Sequence, residues 1–582
     1  YVSYIDEIGN GIVIDFGAAE VVVAEPLLEL TKIFEVETAD ASDVLAVTVT
    51  VTNNGTAPAY NPRILDDLTG VDFSYVGNVG GTNPPTNIDT TTYGPDSPVF
   101  SWDPGYEIPV GGQVSFTFDV QVGDTVQPLQ VLENTIQADW TSLPGRDTAL
   151  NSTGQIGEDG AADGMRIGAL PNAGNALNDY EAEASDSVYV PPPAITKTDL
   201  DPALPPEIGA HKSFQVQIDL PEGQSNAVSL ADDLATGAVS YFLSDNADFD
   251  VTYEFAGIAS INGQPPSEAA FNAAPADGAS GVATWDIGSV VTETEDDSTV
   301  NDIAPYIRAT YSARNNNDLV TDVGDNLQNS ATAYYTNGDT GAQDSVNDTT
   351  APITATEPSL TAATALTNVT PVKKAGDPLA FGDIAQYVLK VPNFGNAIAH
   401  DVNIVDTLPP ELAFYAGSVP VAHVNGIDVA GFVPTPAGAP GGPLVWGAGN
   451  NDLSLDIPPG ATLELTYQVE VVASPDPSIP LSNSVWVDWT SLDELSGYER
   501  TGAGCPNITA PNDYCYGPAS ADGTPVPIVP PGALAKANMQ DTATIGETFN
   551  YRITVPATPY PVPLYDVRIT DNLNGSAADL TY

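Results

Sequence analysis

Basic side chains are scarce in this 582-residue chain: 15 Lys and Arg stand against 77 Asp and Glu, a formal charge of -62. Such a field repels nucleic-acid backbones and anionic lipid surfaces, so no nucleic-acid partner is expected. Self-repulsion on this scale also suits salty surroundings, where charge is screened. Three His and two Cys offer no repeated zinc-type ligand cluster. Met is nearly missing, and no apolar run reaches the roughly 18 residues that a bilayer-crossing helix requires. No Gly-rich phosphate loop precedes a helix and no Ser-His-Asp set recurs, so an enzyme acting on an external substrate is not expected.

The two cysteines, Cys505 and Cys515, share one Gly/Pro/Asn-rich loop. That placement favours a local disulfide in an oxidising compartment over a metal site. The acid excess reads first as solvated surface; Ca²⁺ held by Asp-rich loops is the sharper alternative, with its ligands unassigned and no cofactor required.

What the chain does have is Val, Thr and Tyr with 51 Gly and 51 Pro, the composition of short, turn-punctuated strands. Residues 44–55, 113–122, 385–395 and 462–472 alternate apolar and polar with period two, as strands with one wet and one dry face do. A longer pattern overlies them. About every 170 residues the chain repeats a Lys in a short apolar strand, then Asp-x-Leu, a Trp, a Pro-Gly or Gly-Gly turn, and Leu-x-Asn before an alternating strand. The fold class expected is all-β, as tandem immunoglobulin-like antiparallel sandwiches in a rod-like array.

Pro-containing joints (AEPLLELTK, VPPPAITK, TEPSLTAAT, VPPGALAK) place units at 26–190, 191–356, 357–528 and 529–582, with 1–25 reading as the closing strands of a preceding repeat. Two units carry an insertion after DWTSL, the second with both Cys; its bland reading is surface decoration. Neither end reads as a natural terminus, which suggests a window cut from a longer repetitive protein, with any signal or anchor outside it.

The segments GDIAQYVLKVPNFGNAIAHDVNIVDTLPPEL, IGETFNYRITV with VRITDNL, and VTVTVTNNGTAPAYNPRILDDL carry a resemblance. They resemble the tandem repeat domain of unknown function of large bacterial surface proteins, and the related isopeptide-forming modules of pilins and Gram-positive adhesins. The resemblance implies a spacer architecture, and says little of function.

Lys, Asp and Asn recur in fixed order, as Lys32, Asp66, Asn134 and as Lys197, Asp232, Asn329. Buried together, a neutral Lys amine attacks the Asn carboxamide while a protonated Asp polarises its carbonyl, which makes an intramolecular isopeptide bond. The plainer account makes the Asp and Asn turn acceptors and the Lys a solvated strand-edge residue. The third unit bears on the choice. It keeps Asp406 and Asn483 but has Ala363, Thr364 and Ala365 where the Lys falls, while Lys373 and Lys374 lie in a later loop. The fourth keeps Lys536 and Asp571. Trp102, Trp285 and Trp446, with Trp140, Trp486 and Trp489, read as core. Sequons at Asn54, Asn151, Asn368 and Asn507 are weak evidence for glycosylation.

The function expected is structural: an extracellular bacterial cell-surface segment of a long fibre, filament or surface layer, self-associating with neighbouring copies or other surface proteins. The alternative is an adhesin that binds its ligand through the inserted loops near 141–180 and 490–520.

Overall fold

The computed structural model describes residues 2–5, 11–14, 20–144, 165–172, 180–203, 207–233, 235–236, 239–243, 251–276, 278–279, 281–294, 305–317, 322–325, 328–370, 379, 381–429, 435–436, 442–448, 455–473, 481–493, 496–502, 505, 513–520, 533–558, 566–573 and 580. Among these the structure is predominantly β, with a 3₁₀ turn at Glu268–Ala270. No described helix is long and apolar enough to cross a membrane.

Alternation builds the layers. Val44–Asn53 turns Val47, Val49 and Val51 inward with no exposed surface, while the Thr residues between them face outward. Each such side chain contributes roughly 1.5–3 kcal/mol on burial. The strand pairs with Leu28–Phe34 on one side and Gln113–Val122 on the other, and Phe73–Gly81 completes that sheet. A second antiparallel sheet runs Glu181–Tyr189, Val131–Thr141, Ala59–Asp66, Val99–Ser101, Asn87–Asp89. One core, from Leu28 to Val190, draws on both.

The plan recurs twice. In the second sandwich Ala194–Asp199, His211–Asp219 and Tyr306–Asn315 belong to one sheet; Val282–Thr292, Gln224–Asp233 and Ser330–Thr336 belong to the other. In the third, Ala363–Thr370, Ile384–Pro392 and Thr462–Val471 lie in one sheet, with Pro443–Gly447, His400–Thr407 and Ser484–Thr490 in the other. Each has its own core. A two-stranded piece of the same kind, Ala535–Asn538 with Tyr551–Thr554, follows. Near the start, Val2–Ile5 pairs with Gly11–Ile14 as a hairpin.

A buried Asn fixes two of the Pro-containing joints, those entering the first and third sandwiches. Asn53 accepts from the backbone N–H of Leu27 and Gly55 and donates to the carbonyls of Ala57 and Ile108. Asn393 repeats all four bonds, with Ser359, Gly395, Ala397 and Ile457. The glycine two residues on is required at both: a Cβ at Gly55 would lie 2.3 Å from Leu27 N, and one at Gly395 2.3 Å from the Glu357 carbonyl.

The second and third sandwiches meet through the third one's insertion. Ser491 Oγ donates to the Ile208 carbonyl at 2.7 Å, Asn317 Nδ2 donates to the Glu499 carbonyl at 2.8 Å, and the Arg314 guanidinium lies over the Tyr498 ring. Arg500, 5% exposed, pairs with Glu357, 7% exposed, and donates from Nε to Asn317 Oδ1 at 3.2 Å. The surface-decoration reading is therefore corrected for this part of the insertion: residues 496–502 are wedged against the preceding sandwich. Cys505 and Cys515 are joined as a disulfide.

Candidate functional site: buried lysine–carboxylate pairs

The repeated Lys is the feature whose surroundings differ most from the plain strand-edge account. Leu28–Phe34 is indeed an edge strand, but strict alternation sends Leu28, Leu30, Lys32 and Phe34 to the same inner face. Lys32 is 4% exposed and its Nζ donates to Asp66 Oδ1 at 3.0 Å. Asp66 comes from the opposite sheet and is fully buried. The solvated reading of Lys32 and of Lys197 is thus overturned, because both side chains are buried against the opposite sheet, Lys197 at 6% exposure.

Asn134 sits on Val131–Thr141, beside the Asp66 strand in the same sheet. Its carboxamide is fully buried, and neither Nδ2 nor Oδ1 makes a hydrogen bond of normal geometry. It nonetheless lies near enough to Asp66 to temper that acid's proton affinity. An amide group left without partners in a core costs about 1–3 kcal/mol, so its retention calls for a reason.

The second sandwich repeats the set and adds a member. Lys197 Nζ donates to Asp232 Oδ2 at 2.6 Å and meets the Tyr311 hydroxyl at 2.7 Å. Asn329 Nδ2 donates to the same hydroxyl at 3.4 Å, while its Oδ1 is unpartnered. Phe118 occupies the Tyr311 place in the first sandwich, so there the Asn has no phenol to reach.

Burial moves the titrations in opposite senses. Desolvation lowers both lysines, and the facing carboxylate only partly offsets it. Desolvation raises Asp66, and raises Asp232 to about 6, against the pull of the lysines. Both shifts run toward the neutral forms, the direction that an amine nucleophile and an acid catalyst need.

The third sandwich keeps the frame without the amine. Thr364 takes the Lys register, opposite Leu389 as Lys197 is opposite Val216, and is 4% exposed. Tyr467 donates its hydroxyl to Asp406, and Asn483 Nδ2 donates to Tyr467 Oη at 3.4 Å. Lys373 and Lys374 lie outside the described residues. Lys536 and Asp571 do pair, at 2.6 Å, with about a third of each side chain exposed.

No family model matches the chain, and no curated protein matches it. Solved structures similar to it include the pilus backbone from Streptococcus pneumoniae, 18% identical over 23% of this chain and 54% of that one, with a TM-score of 0.17. Also similar are the major pilin subunit of Bacillus cereus (9%, covering 76% and 90%, TM-score 0.22) and red sea bream transglutaminase (8%, covering 57% and 32%, TM-score 0.21). The chain spans about half the length of the pneumococcal protein. Likeness this distant carries no functional argument; the sheets and cores above carry the fold.

Sequence reasoning missed the phenols. Tyr311 and Tyr467 lie on alternating strands whose aromatic residues look like ordinary core, and only cross-sheet packing shows Tyr311 reaching Lys197 and Asn329, and Tyr467 reaching Asp406 and Asn483. Five of the six Trp are buried as expected, but Trp486 is half-buried, because the alternation of Ser484–Thr490 turns it away from the core. One mixed cluster, His400 with Asp456 and Asp493, also arises only in three dimensions.

Proposed function

We propose that this chain is a load-bearing segment of a bacterial surface structure, and that its first two sandwiches are stapled internally by Lys32–Asn134 and Lys197–Asn329 amide bonds. The observation that carries this is the burial of Lys, Asp and Asn together in both cores. Lys Nζ attacks the Asn Cγ, the carboxamide C–N bond breaks, and the proton released by the amine leaves with the amide nitrogen as ammonia. Asp66 and Asp232, held toward their protonated forms, polarise the carbonyl and relay that proton. Each bond would tie an edge strand of one sheet to the other sheet. Such a staple serves a protein that is pulled, which supports an extracellular filament or fibre over an enzyme. Association with further surface subunits and a cell-surface location belong to the same reading.

Intact mass of the purified chain, with its disulfide reduced, tests the staple: it is expected to fall short of the sequence mass by two ammonia. Asp66→Ala and Asp232→Ala should each restore one, and a wild-type mass equal to the sequence mass would end the proposal. For the adhesin alternative, the described 496–502 stretch packs Glu499 and Arg500 into the junction with the second sandwich and leaves Gly497 and Tyr498 exposed.

A further inference from the structure

The junction between the second and third sandwiches gathers carboxylates around one imidazole. His400 and Asp401 stand where the register of His400–Thr407 against Ser484–Thr490 shifts, between His400 and Asn403. Backbone bonds exchanged by Ala399 and Ile457, with one from Val402 N to the Leu455 carbonyl, bring Asp456 opposite them. Asp493 enters from the insertion, just past Ser491. One ligand atom from each of His400, Asp456 and Asp493 lies within 4.8 Å of the others. Across the junction, Glu207 Oε2 of the second sandwich lies 3.9 Å from His400 Nε2.

Hydrogen bonds leave this cluster incomplete. His400 is 8% exposed, and its Nδ1 lies 3.3 Å from Asp456 Oδ1 with neither atom in a hydrogen bond of normal geometry. Asp401 is 3% exposed; Thr490 Oγ1 reaches its Oδ2 at 3.5 Å, while Oδ1 has no partner. Glu499, also buried, has Oε2 unpartnered. Polar atoms in such places normally meet something. The first sandwich shows the same frame with its polar atoms satisfied. Asn61 takes the place of Asp401, with φ +49° against +48°, and its carboxamide is used at both ends: Oδ1 accepts from Gly105 N at 2.7 Å and Nδ2 donates to Thr141 Oγ1 at 3.0 Å. Tyr60 and Glu107 pair across strands in the His400 and Asp456 places. The third sandwich thus has a carboxylate with a bare oxygen, beside an imidazole, where the first has a satisfied amide.

We propose that His400, Asp456 and Asp493 bind a divalent metal ion of the zinc type at the seam between the second and third sandwiches. His400 Nδ1 and Asp456 Oδ1 already stand 3.3 Å apart, and two ligands about 2.0–2.1 Å from one tetrahedral ion lie roughly 3.4 Å from each other. Glu207 stands toward the other ring nitrogen, where a carboxylate that orients a metal-bound imidazole stands, so the second sandwich takes part in the site. The imidazole decides the class of ion. Ca²⁺ takes about six to eight oxygen ligands, whereas zinc-type ions accept nitrogen together with oxygen and need fewer. Asp401 and Glu499 add a negative field that favours a dication. A proton is the rival occupant: burial lowers the His400 imidazole, but Asp456, Glu207 and Asp493 raise it on balance, so binding weakens in acid.

Zinc binding by the full chain tests this. After dialysis against a chelator, the chain is titrated with zinc chloride at neutral pH, in excess calcium chloride and enough salt to screen weak binding by the other surface acids. Heat and retained zinc are both measured. One saturable zinc per chain is expected. Asp493→Ala, an exposed change outside the cores, and His400→Gln should each abolish that site, and Glu207→Gln should weaken it roughly tenfold or more. His423→Gln, which removes a more exposed His–Asp pair elsewhere in the third sandwich, should leave it unchanged. Thermal melts of each variant report folding separately from binding, and Asp493→Ala decides the matter should His400→Gln fail to fold. No saturable zinc, zinc displaced by the calcium, or a saturable site that survives either ligand change in a folded chain overturns the inference.

Discussion

Tyr467 donates its hydroxyl to Asp406 in the place where, one sandwich earlier, Lys197 contacts both Asp232 and Tyr311. The acid and amide are therefore retained around a phenol when the amine is gone. Thr364 occupies the vacated register, and its Oγ1 finds no partner in the core.

Thr364→Lys should convert the third sandwich into a stapled one. The longer side chain overpacks the core by about 1–3 kcal/mol, but Asp406 and Asn483 already stand where Asp232 and Asn329 stand around Lys197. The expected result is one further ammonia lost from the intact mass, with residues 364 and 483 joined in a single branched proteolytic peptide. An unaltered mass deficit would show that the Tyr467–Asp406 bond leaves no room for the reaction.

Asp406 also makes the third sandwich sensitive to pH. Burial raises its carboxyl to about 6, against hydrogen bonds from Tyr467 and Asn483 that lower it. The folded state therefore binds the proton more tightly than the unfolded chain, whose carboxyl titrates near 3.8. Stability from this group is fully present below that value and is lost as pH rises through about 6, a change of about 3 kcal/mol at roughly 1.4 kcal/mol per unit. Denaturant melts from pH 4 to 7, followed by Trp446 fluorescence, should show the decline, and Asp406→Asn should flatten it.

In chains where the second staple is blocked by Asn329→Ala, the Lys197–Asp232 pair should behave as a buried ion pair. Removing either partner alone, by Lys197→Met or Asp232→Leu, is expected to cost about 3–5 kcal/mol, while the double change recovers most of that loss. Equilibrium unfolding of the four chains reads the coupling. Additive losses would mean that the two side chains do not depend on each other.

Gly209→Val is aimed at the junction. Its Cβ would strike the Tyr498 carbonyl, and the positive φ is itself unfavourable for a branched residue. Since the second and third cores are separate, each should melt as before, while solution scattering should report a larger radius of gyration as the Ser491–Ile208 and Arg500–Asn317 contacts come apart.

Much of this was legible in the chain because β alternation is written residue by residue. Val44–Asn53 and Thr462–Val471 have the burial pattern that their spelling implies, and Lys and Asp residues separated by 34, 35 and 35 positions do meet in the first, second and fourth units. The solvated account of Lys32 failed for a physical reason: an edge strand has a free hydrogen-bonding side and still one buried face, and sequence shows membership of the strand before it shows which face matters. The insertion was harder to read. Its Arg500 looks like any surface Arg until Glu357, 143 positions away, is brought to it.

The Asn53 and Asn393 brackets bear on where such a chain bends. Because Asn393 holds Ser359 and Gly395 packs on the Glu357 carbonyl, the Pro358 joint moves with the sandwich that follows it, and the only place left for an elbow is upstream of Glu357. There Glu357 Oε2 accepts from Val323 N of the second sandwich while Oε1 is held by Arg500 and Tyr514 of the third. A single carboxylate thus occupies the pivot from both sides, and together with the Ser491–Ile208 and Asn317–Glu499 bonds it locks an elbow where a hinge of the same length would have swung.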